Sequence, residues 1–229
     1  MSDVAALLGK TRLFGMLLPD AQQKVAQQMR PVSYGAGQQI FARGDPGTEL
    51  YLVLDGRVRL SIISLEGREL AFTHAAPGDI FGEIATLDGG ARTADATAVS
   101  PVKALSLSKP QINTLLDTAP QFARAAIDLL CQRLREGDLQ LEVIALHRIE
   151  VRLARYLLSA VRQQHGAAPP KKPSIALGIS QGELALVLGA SRPKVNAALM
   201  LLEESGAITR EGDRYACNLD ELAAIGEVG

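Results

Sequence analysis

The spacing of apolar residues changes twice along this chain. From about Ser33 to Leu107 the sequence consists of short β-rich runs, such as LYLVLDGRVRLSII, separated by the turn sequences GDPG, LEGRE and PGD. Short strands that alternate with turns are typical of an antiparallel roll or barrel. After Pro120 the period becomes helical, and neither glycine nor proline interrupts it before Gly137. The pattern therefore predicts a mostly β domain over residues 1–120, followed by a long helix over residues 121–147.

The helical stretch carries a second regularity. Six of its residues follow one another at alternating steps of four and three: Ile127, Cys131, Leu134, Asp138, Leu141 and Ala145. This spacing is typical of the seam of a two-stranded coiled coil, and it favours a homodimer over packing of the helix on its own domain. Asp138 places a charge in that seam, where it either weakens the dimer or serves something held between the two chains.

Residues 148–229 contain the pattern of two short helices around a turn. Ser180 and Glu183 form an S-x-x-E capping box, which predicts the start of the first helix, and Gly189 permits a sharp turn after it. The second helix begins after Ser191, with Pro193 in its first turn. Its apolar stripe contains Val195, Ala198, Leu199 and Leu202.

Two features distinguish this helix pair from an ordinary pair in a protein core. Arg192, Lys194 and Asn196 lie off the apolar stripe, and side chains of these types contact phosphates and base edges. The following sequence AITREGDRYAC predicts two short strands around a Gly-Asp turn, as in the wing of a winged helix. We therefore predict a winged helix-turn-helix that binds double-stranded DNA.

Charge and cysteine content limit the other classes of function. The chain has 24 Lys and Arg residues against 25 Asp and Glu residues, so contact with DNA depends on a local patch. The two cysteines, Cys131 and Cys217, have no CxxC spacing, and the three histidines are scattered, so we expect no metal site. The N-terminus lacks a signal-peptide pattern and no apolar run approaches about 20 residues, so we expect a cytoplasmic protein without a membrane partner.

The sequence FGEIATLDGGARTADA, residues 81–96, places a carboxylate, a guanidinium, a hydroxyl and bare backbone within a dozen residues. This stretch resembles the phosphate-binding cassette of the cyclic AMP receptor protein family of bacterial transcription regulators. In that family the cassette is G-E-(I/L)-A-x-L, then a few residues, then R-(S/T)-A. The order of β-roll, cassette, long helix and winged helix-turn-helix also resembles the family over nearly the whole chain. The resemblance implies an α+β fold with an N-terminal antiparallel β-roll, a long dimerisation helix and a C-terminal winged helix-turn-helix domain.

The resemblance implies roles for individual residues of the cassette. Glu83 would accept a hydrogen bond from a ribose 2′-hydroxyl, and Arg92 would pair bidentately with the cyclic phosphate. Thr93 would add a hydroxyl and an amide, and Gly82 would let the backbone approach the ligand. Arg133, on the long helix, would orient Glu83. The expected ligand-binding residues of the cassette and the long helix are Gly82, Glu83, Ile84, Ala85, Arg92, Thr93, Arg133, Gly137 and Asp138.

The identity of the ligand depends on the long helix. Gly137 and Asp138 match the Thr-Ser pair with which cyclic AMP receptors of this family contact adenine, and Asp138 would come from the opposite chain. Guanine offers N1–H and N2–H₂ side by side and suits a carboxylate, whereas adenine offers one donor beside an acceptor lone pair. This argument favours cGMP over cAMP as the effector. In the alternative, Asp138 only sets the helix register or faces water, and cAMP binds through other atoms.

The resemblance also implies the DNA-contacting residues and the partners. The expected contacts are Ser180, Gln181, Ser191, Arg192, Pro193, Lys194, Asn196 and Ala197. Pro193 and Ala197 stand where the family's cyclic AMP receptors have a Glu and a second Arg that read bases, so those contacts are lost here. The operator is expected to be near-palindromic, because the protein is expected to be a two-fold dimer. RNA polymerase is a further expected partner.

Other classes fit the residues less well. A metal-dependent cupin enzyme requires clustered histidines, and no arrangement of residues here suggests catalysis, so we expect no enzyme activity. A cyclic-nucleotide subunit of a kinase or channel would not end in a helix-turn-helix. A regulator of the same fold that senses another ligand or haem, for which His74 is a candidate residue, or that acts without a small effector, remains an open alternative.

Overall fold

The computed structural model describes residues 2–227. It divides into two compact units, the first of which extends to Gly137 and the second of which begins at Asp138. The division falls inside a continuous helix, α5, which runs over Pro120–Leu146. The two units are described separately below.

The first unit is a β-roll with helices at both ends and one short helix inserted. Its strands are β1 (Arg30–Tyr34), β2 (Gln39–Phe41), β3 (Glu49–Asp55), β4 (Val58–Ile63), β5 (Glu69–Ala75), β6 (Ile80–Phe81), β7 (Asp95–Ala98) and β8 (Val102–Ser108). Its helices are α1 (Ser2–Leu8), α2 (Pro19–Gln28), α3 (Glu83–Asp88), α4 (Lys109–Thr118) and the first part of α5.

The strands form two antiparallel sheets of four, in the orders β1-β8-β3-β6 and β2-β7-β4-β5. Side chains alternate along β3, and both of its faces are buried. Leu50 and Leu52 pack with the helices, whereas Tyr51 and Val53 pack with residues of the second sheet. Burial on both faces explains why the central strands are almost uniformly apolar rather than alternating.

The N-terminal helices α1 and α2 are the main element that the sequence did not predict. Residues 1–120 were expected to be mostly β, yet the first 28 described residues are largely helical. Leu8, Leu13 and Phe14 from this segment are fully buried in the core beside the first sheet. The segment is short and its apolar residues cluster in the turn between the helices, so it lacks the long 3.6-residue period that predicts a helix.

The long helix α5 has a buried beginning and an exposed remainder. Its buried residues, Phe122, Ala125, Ala126 and Leu129, all lie in its first ten positions. The six seam residues are all exposed in the single chain: Ile127, Cys131, Leu134, Asp138, Leu141 and Ala145. The predicted stripe is therefore a solvent-facing surface of the chain, and the helix continues through Gly137 without a break.

The second unit contains a three-stranded sheet and four helices besides the end of α5. The elements are α6 (Ile149–His165), β9 (Ser174–Ala176), α7 (Gln181–Val187), α8 (Arg192–Glu204), β10 (Ile208–Glu211), β11 (Arg214–Cys217) and α9 (Leu219–Glu227). The sheet order is β10-β11-β9, and all pairs are antiparallel. The predicted two strands of the wing are β10 and β11, whereas α6, β9 and α9 were not predicted.

Candidate functional site

A pocket of about 340 Å³ opens beside α3 in the first unit. This volume includes open solvent at the mouth of the pocket. Nine residues line it: Phe41, Leu60, Gly82, Glu83, Ile84, Ala85, Arg92, Thr93 and Ala94. The cassette predicted from the sequence thus supplies seven of the lining residues, six of which were expected to bind the ligand. Strands β2 and β4 supply two that the sequence analysis missed.

Gly82 is the N-cap of α3, and its backbone conformation excludes other residues. Its φ of 77° lies in the left-handed region, which costs little only for glycine. A Cβ atom at this position would come within 2.7 Å of Nη1 of Arg92. The missing side chain therefore leaves room for the guanidinium of Arg92, a reason for the glycine that differs from the ligand approach expected from the sequence.

Arg92 is buried, with 4% of its surface exposed, in the loop that follows α3. Its Nη1 donates to the carbonyl of Gly82 and its Nη2 to the carbonyl of Glu49, each at 2.7 Å. The guanidinium carbon lies 4.1 Å from the centroid of the Phe41 ring, at cation–π distance. Burial lowers the pKa of Arg92, and the nearby Tyr51 and Glu49 act in the opposite direction.

One donor of this buried guanidinium is left over. Nε of Arg92 is enclosed and has no hydrogen-bond partner among residues 2–227. A buried N–H without an acceptor costs about 1–3 kcal/mol, so its presence at a pocket favours an anionic ligand that would accept from it. The residues therefore fit a phosphate group, and Nε with one terminal nitrogen would offer the fork that binds it bidentately.

Glu83, the first residue of α3, is connected to the long helix. Its carboxylate is buried, and Nε of Arg133 lies 3.4 Å from its Oε1. Arg133 also donates from Nη2 to the carbonyl of Ile80 at 3.0 Å and lies 3.5 Å from Glu136. Burial raises the pKa of Glu83, and Arg133 partly offsets this effect. This geometry is what an orienting role of Arg133 requires.

The remaining predicted ligand residues differ in their positions. Thr93 is exposed at the pocket, and Ile84 and Ala85 line it from α3. Gly137 and Asp138 are exposed on α5, and a Cβ built on Gly137 would meet no heavy atom of the described chain within 4 Å. Contact between Asp138 of the opposite chain and a base therefore stays a prediction.

An aromatic cluster lies behind Arg92 and was not predicted. The rings of Tyr51 and Phe81 are stacked at 5.0 Å, and Phe41 lies 6.1 Å from Tyr51 and 6.0 Å from Phe81. These three residues come from three different strands, so no local motif connects them. The cluster forms an apolar wall on which the guanidinium rests.

The helix-turn-helix of the second unit forms as the sequence predicted. Oγ of Ser180 accepts a hydrogen bond from the backbone N–H of Glu183 at 3.2 Å and caps α7. Gly189 has a φ of 60° in the turn, and α7 and α8 enclose an angle of 97°. The buried residues of α8 are those of the predicted stripe: Val195, Ala198, Leu199 and Leu202.

The predicted DNA contacts lie at the start of α7 and at the start of α8. Exposed members of this set are Ser180, Ser191, Arg192, Pro193, Lys194 and Ala197. Gln181 and Asn196 are half-buried. Oδ1 of Asn196 is enclosed and finds no hydrogen-bond partner in the described part of the chain, so its carboxamide is a polar group that still needs a partner.

Within residues 2–227 no group of three or more His, Cys, Asp and Glu side chains could hold a metal ion. No single helix in this range has the length and apolar character of a membrane span, and only the bent pair of α7 and α8 passes that test by length and composition.

Comparison with known families assigns both units. Residues 31–119 match the family described as cyclic nucleotide-binding domain, and residues 151–225 match the Crp-like helix-turn-helix domain. The two domains together define a class of DNA-binding transcription regulators. The relatives place the chain more closely: it belongs to the CRP/FNR family of transcription regulators.

Three similar proteins illustrate the relationship. The chain is 35% identical over 216 residues to the cyclic AMP receptor protein of Thermus thermophilus, covering 92% of this chain and 96% of the relative. It is 30% identical over 206 residues to a CRP-like cAMP-activated global transcriptional regulator of Mycobacterium tuberculosis, covering 90% and 92%. The structure of FixK2 from Bradyrhizobium japonicum has the same fold, with a TM-score of 0.78, 21% identity, and coverage of 88% of this chain and 98% of that one.

Proposed function

We propose that the protein is a transcription regulator whose DNA binding is controlled by a cyclic nucleotide bound in the pocket beside α3. The observation that carries this proposal is the buried Arg92 with an unpartnered Nε at a pocket that also contains the Glu83 carboxylate. The cyclic phosphate would accept from Arg92, and the ribose 2′-hydroxyl would donate to Glu83. Two relatives are named for cyclic AMP, which supports a ligand of this class.

Calorimetric titration with cAMP and cGMP tests this proposal. Arg92→Ala is expected to remove most of the affinity, because each hydrogen bond to a charged group contributes about 1.5–3 kcal/mol and the phosphate would lose two. Arg68→Ala is the matched control, since Arg68 is an exposed arginine of the same unit. Unchanged affinity in Arg92→Ala would place the ligand elsewhere, and the absence of binding by the unmodified protein would favour the alternative of a different effector or none.

For the identity of the nucleotide we propose cGMP ahead of cAMP. The reason is Asp138, which is exposed on α5 and would reach the base from the opposite chain. One additional charged hydrogen bond of ~1.5–3 kcal/mol predicts a roughly 10- to 100-fold preference for cGMP. Competition binding would show this preference lost in Asp138→Ala and kept in Asp128→Ala, another exposed acid of the same helix. Equal or tighter binding of cAMP by the unmodified protein would refute it.

We further propose that the protein is a homodimer through residues 121–147. Support comes from the six exposed seam residues, among which Leu134 is 66% exposed in the single chain. Leu139, 61% exposed, lies off the seam on the same helix and provides a control. Sedimentation should show that Leu134→Glu weakens the dimer and Leu139→Glu does not. At a seam position the substitution replaces a leucine that packs against the partner helix with a charge, whereas Leu139 lies off the seam. Equal effects of both substitutions would contradict the seam.

The proposed DNA site is a near-palindrome read by two copies of α8, with half-sites about one helical turn apart. Arg192 would contact a guanine, Lys194 and Asn196 a base edge or a phosphate, and Pro193 or Ala197 at most a thymine methyl. The protein would act in the cytoplasm, with RNA polymerase as a further partner and without enzymatic activity. Selection from random DNA with the unmodified protein and with Arg192→Ala tests the DNA contacts.

A further inference from the structure

Two helices of the second unit end close to the same side chain. Helix α5 ends at Leu146, and α7 ends at Val187 with Leu188 as its C-cap. The last four carbonyls of an α-helix have no partner within the helix, and they carry the negative end of the helix dipole. A cation with several N–H donors can therefore satisfy both ends if it lies between them.

Arg152, in the first turn of α6, is that cation. Its Nη2 donates to the carbonyl of Ile144, in the last turn of α5, and its Nε donates to the carbonyl of His147 at 2.8 Å. Its Nη1 donates to the carbonyl of Leu188 at 3.1 Å. A single half-buried guanidinium thus joins the end of the long helix, the residue that follows it and the end of the first helix of the helix-turn-helix.

The hydrogen bond to Leu188 connects Arg152 to the turn that leads into α8. Leu188 immediately precedes the turn at Gly189, and α8 begins four residues later at Arg192. The planar guanidinium fixes the directions of its N–H donors, unlike a freely rotating ammonium group. A shift of the last turn of α5 would therefore either carry the turn before α8 with it or break hydrogen bonds to a charged group.

We infer that Arg152 is a positioning residue that couples the C-terminal end of α5 to the recognition helix α8, so that the state of α5 sets the DNA affinity of α8. This inference rests on the proposed function, because it concerns how nucleotide binding alters DNA binding. Arg152 contacts neither nucleotide nor DNA in this scheme. It acts through three backbone carbonyls, which no side-chain substitution in the partners removes.

Arg152→Met tests the inference, with Arg148→Met as the matched control. Methionine keeps an unbranched apolar side chain but has no donors, and Arg148 is an exposed arginine at the N-cap of the same helix. DNA affinity is measured by fluorescence anisotropy without nucleotide and with saturating cGMP or cAMP, and nucleotide affinity by calorimetry. The ratio of the two DNA affinities is the coupling, and it must equal the ratio of nucleotide affinities with and without DNA.

The expected wild-type ratio lies between about 5 and 150, the usual range of allosteric coupling, and Arg152→Met should reduce it to below about 2. Nucleotide affinity without DNA should stay within about twofold of wild type, and Arg148→Met should keep the wild-type ratio. Should Arg152→Met not fold, Arg152→Lys provides the same measurement: a lysine keeps the charge but cannot hold three carbonyls in a fixed fork, so its ratio should also fall.

The possible outcomes separate the inference from the proposed function. A wild-type ratio retained by folded Arg152→Met or Arg152→Lys overturns the inference alone. An equal loss of DNA affinity with and without nucleotide also overturns it, because Arg152 would then only stabilise the domain. A ratio of one in the wild-type protein contradicts the proposed control of DNA binding, and the inference with it.

Discussion

Alanine at Gly82 should disable the nucleotide pocket by displacing Arg92, and a second glycine of α3 allows this effect to be isolated. Gly82 and Gly89 cap the two ends of α3 in nearly the same left-handed conformation, with φ of 77° and 78°. A Cβ at Gly82 would come within 2.7 Å of Nη1 of Arg92, whereas a Cβ at Gly89 would come within 2.6 Å of Nζ of Lys109. The two substitutions therefore share the backbone strain and differ in the side chain that must move.

The stability costs follow from these contacts. A left-handed alanine costs ~1–2 kcal/mol at either position. At Gly82 the new Cβ cannot shift away from Arg92, because the carbonyl of Glu49 and the ring of Phe41 also lie within 3.4 Å of it. The guanidinium of Arg92 must therefore move. The loss of one charged hydrogen bond adds ~1.5–3 kcal/mol. Gly82→Ala should lower the free energy of unfolding by about 2.5–5 kcal/mol and Gly89→Ala by about 1–2 kcal/mol.

Nucleotide affinity should separate the two variants more clearly. A displaced guanidinium loses at least one hydrogen bond to the phosphate, so Gly82→Ala should bind cyclic nucleotide roughly 10- to 100-fold more weakly. Gly89→Ala should bind within about twofold of wild type, because the end of the Lys109 side chain can turn away from the helix. Urea denaturation measures the first quantity and calorimetry the second. Equal nucleotide affinities of the two variants would refute the reasoning.

Three further predictions concern other residues of the chain. Nucleotide affinity should fall as the pH is lowered through the raised pKa of Glu83, because the ionised carboxylate accepts a stronger hydrogen bond from the ribose hydroxyl than the neutral carboxyl group does. A titration series should show no such fall in Glu83→Gln. In the ligand-free protein, the raised pKa of Glu83 stabilises the fold at low pH. This contribution to the free energy of unfolding is fully present below the ordinary glutamate pKa, and it is lost as the pH rises through the raised pKa. A thiol reagent at pH 8 should modify Cys217 only after denaturation, because this thiol is buried and burial raises its pKa to about 11. Fast modification of Cys217 in the folded protein would contradict this. Selection from random DNA should return half-sites that contain a guanine, and Arg192→Ala should no longer require this guanine. The selected half-sites should also have fewer G·C pairs than the best-known operator of the family. Recovery of that operator unchanged would count against the contacts assigned to α8.

The dimer seam stays a prediction, of which the structure shows only that the six residues lie on α5 and are exposed. The alternating steps of four and three select one stripe of α5, and all six residues of this stripe are exposed. The buried residues of the helix lie off this stripe, within its first ten positions. The period of a helix is local, so the sequence reveals which residues share a face. What covers that face depends on a second surface, which no pattern within the helix describes.

The helix-turn-helix and the cassette depend on short-range signals and were determined by the sequence. Oγ of Ser180 caps α7 across three residues, and the buried stripe of α8 repeats within each turn. The conformation of Gly82 likewise follows from its own lack of a side chain. Such features involve residues only a few positions apart, and the chain geometry alone brings them together.

Only the tertiary structure decided what surrounds these motifs. Nη2 of Arg92 donates to a carbonyl 43 residues away in β3, Phe41 reaches it from β2, and Nη1 of Arg152 joins a carbonyl 36 residues away. These contacts depend on strand register and on where helices end in space. A one-residue shift in register would turn Phe41 to the other face of its sheet with little change in local propensity. The sequence therefore predicted which cassette groups line the pocket, and the packing of distant strands and helix ends decided which groups hold them in place.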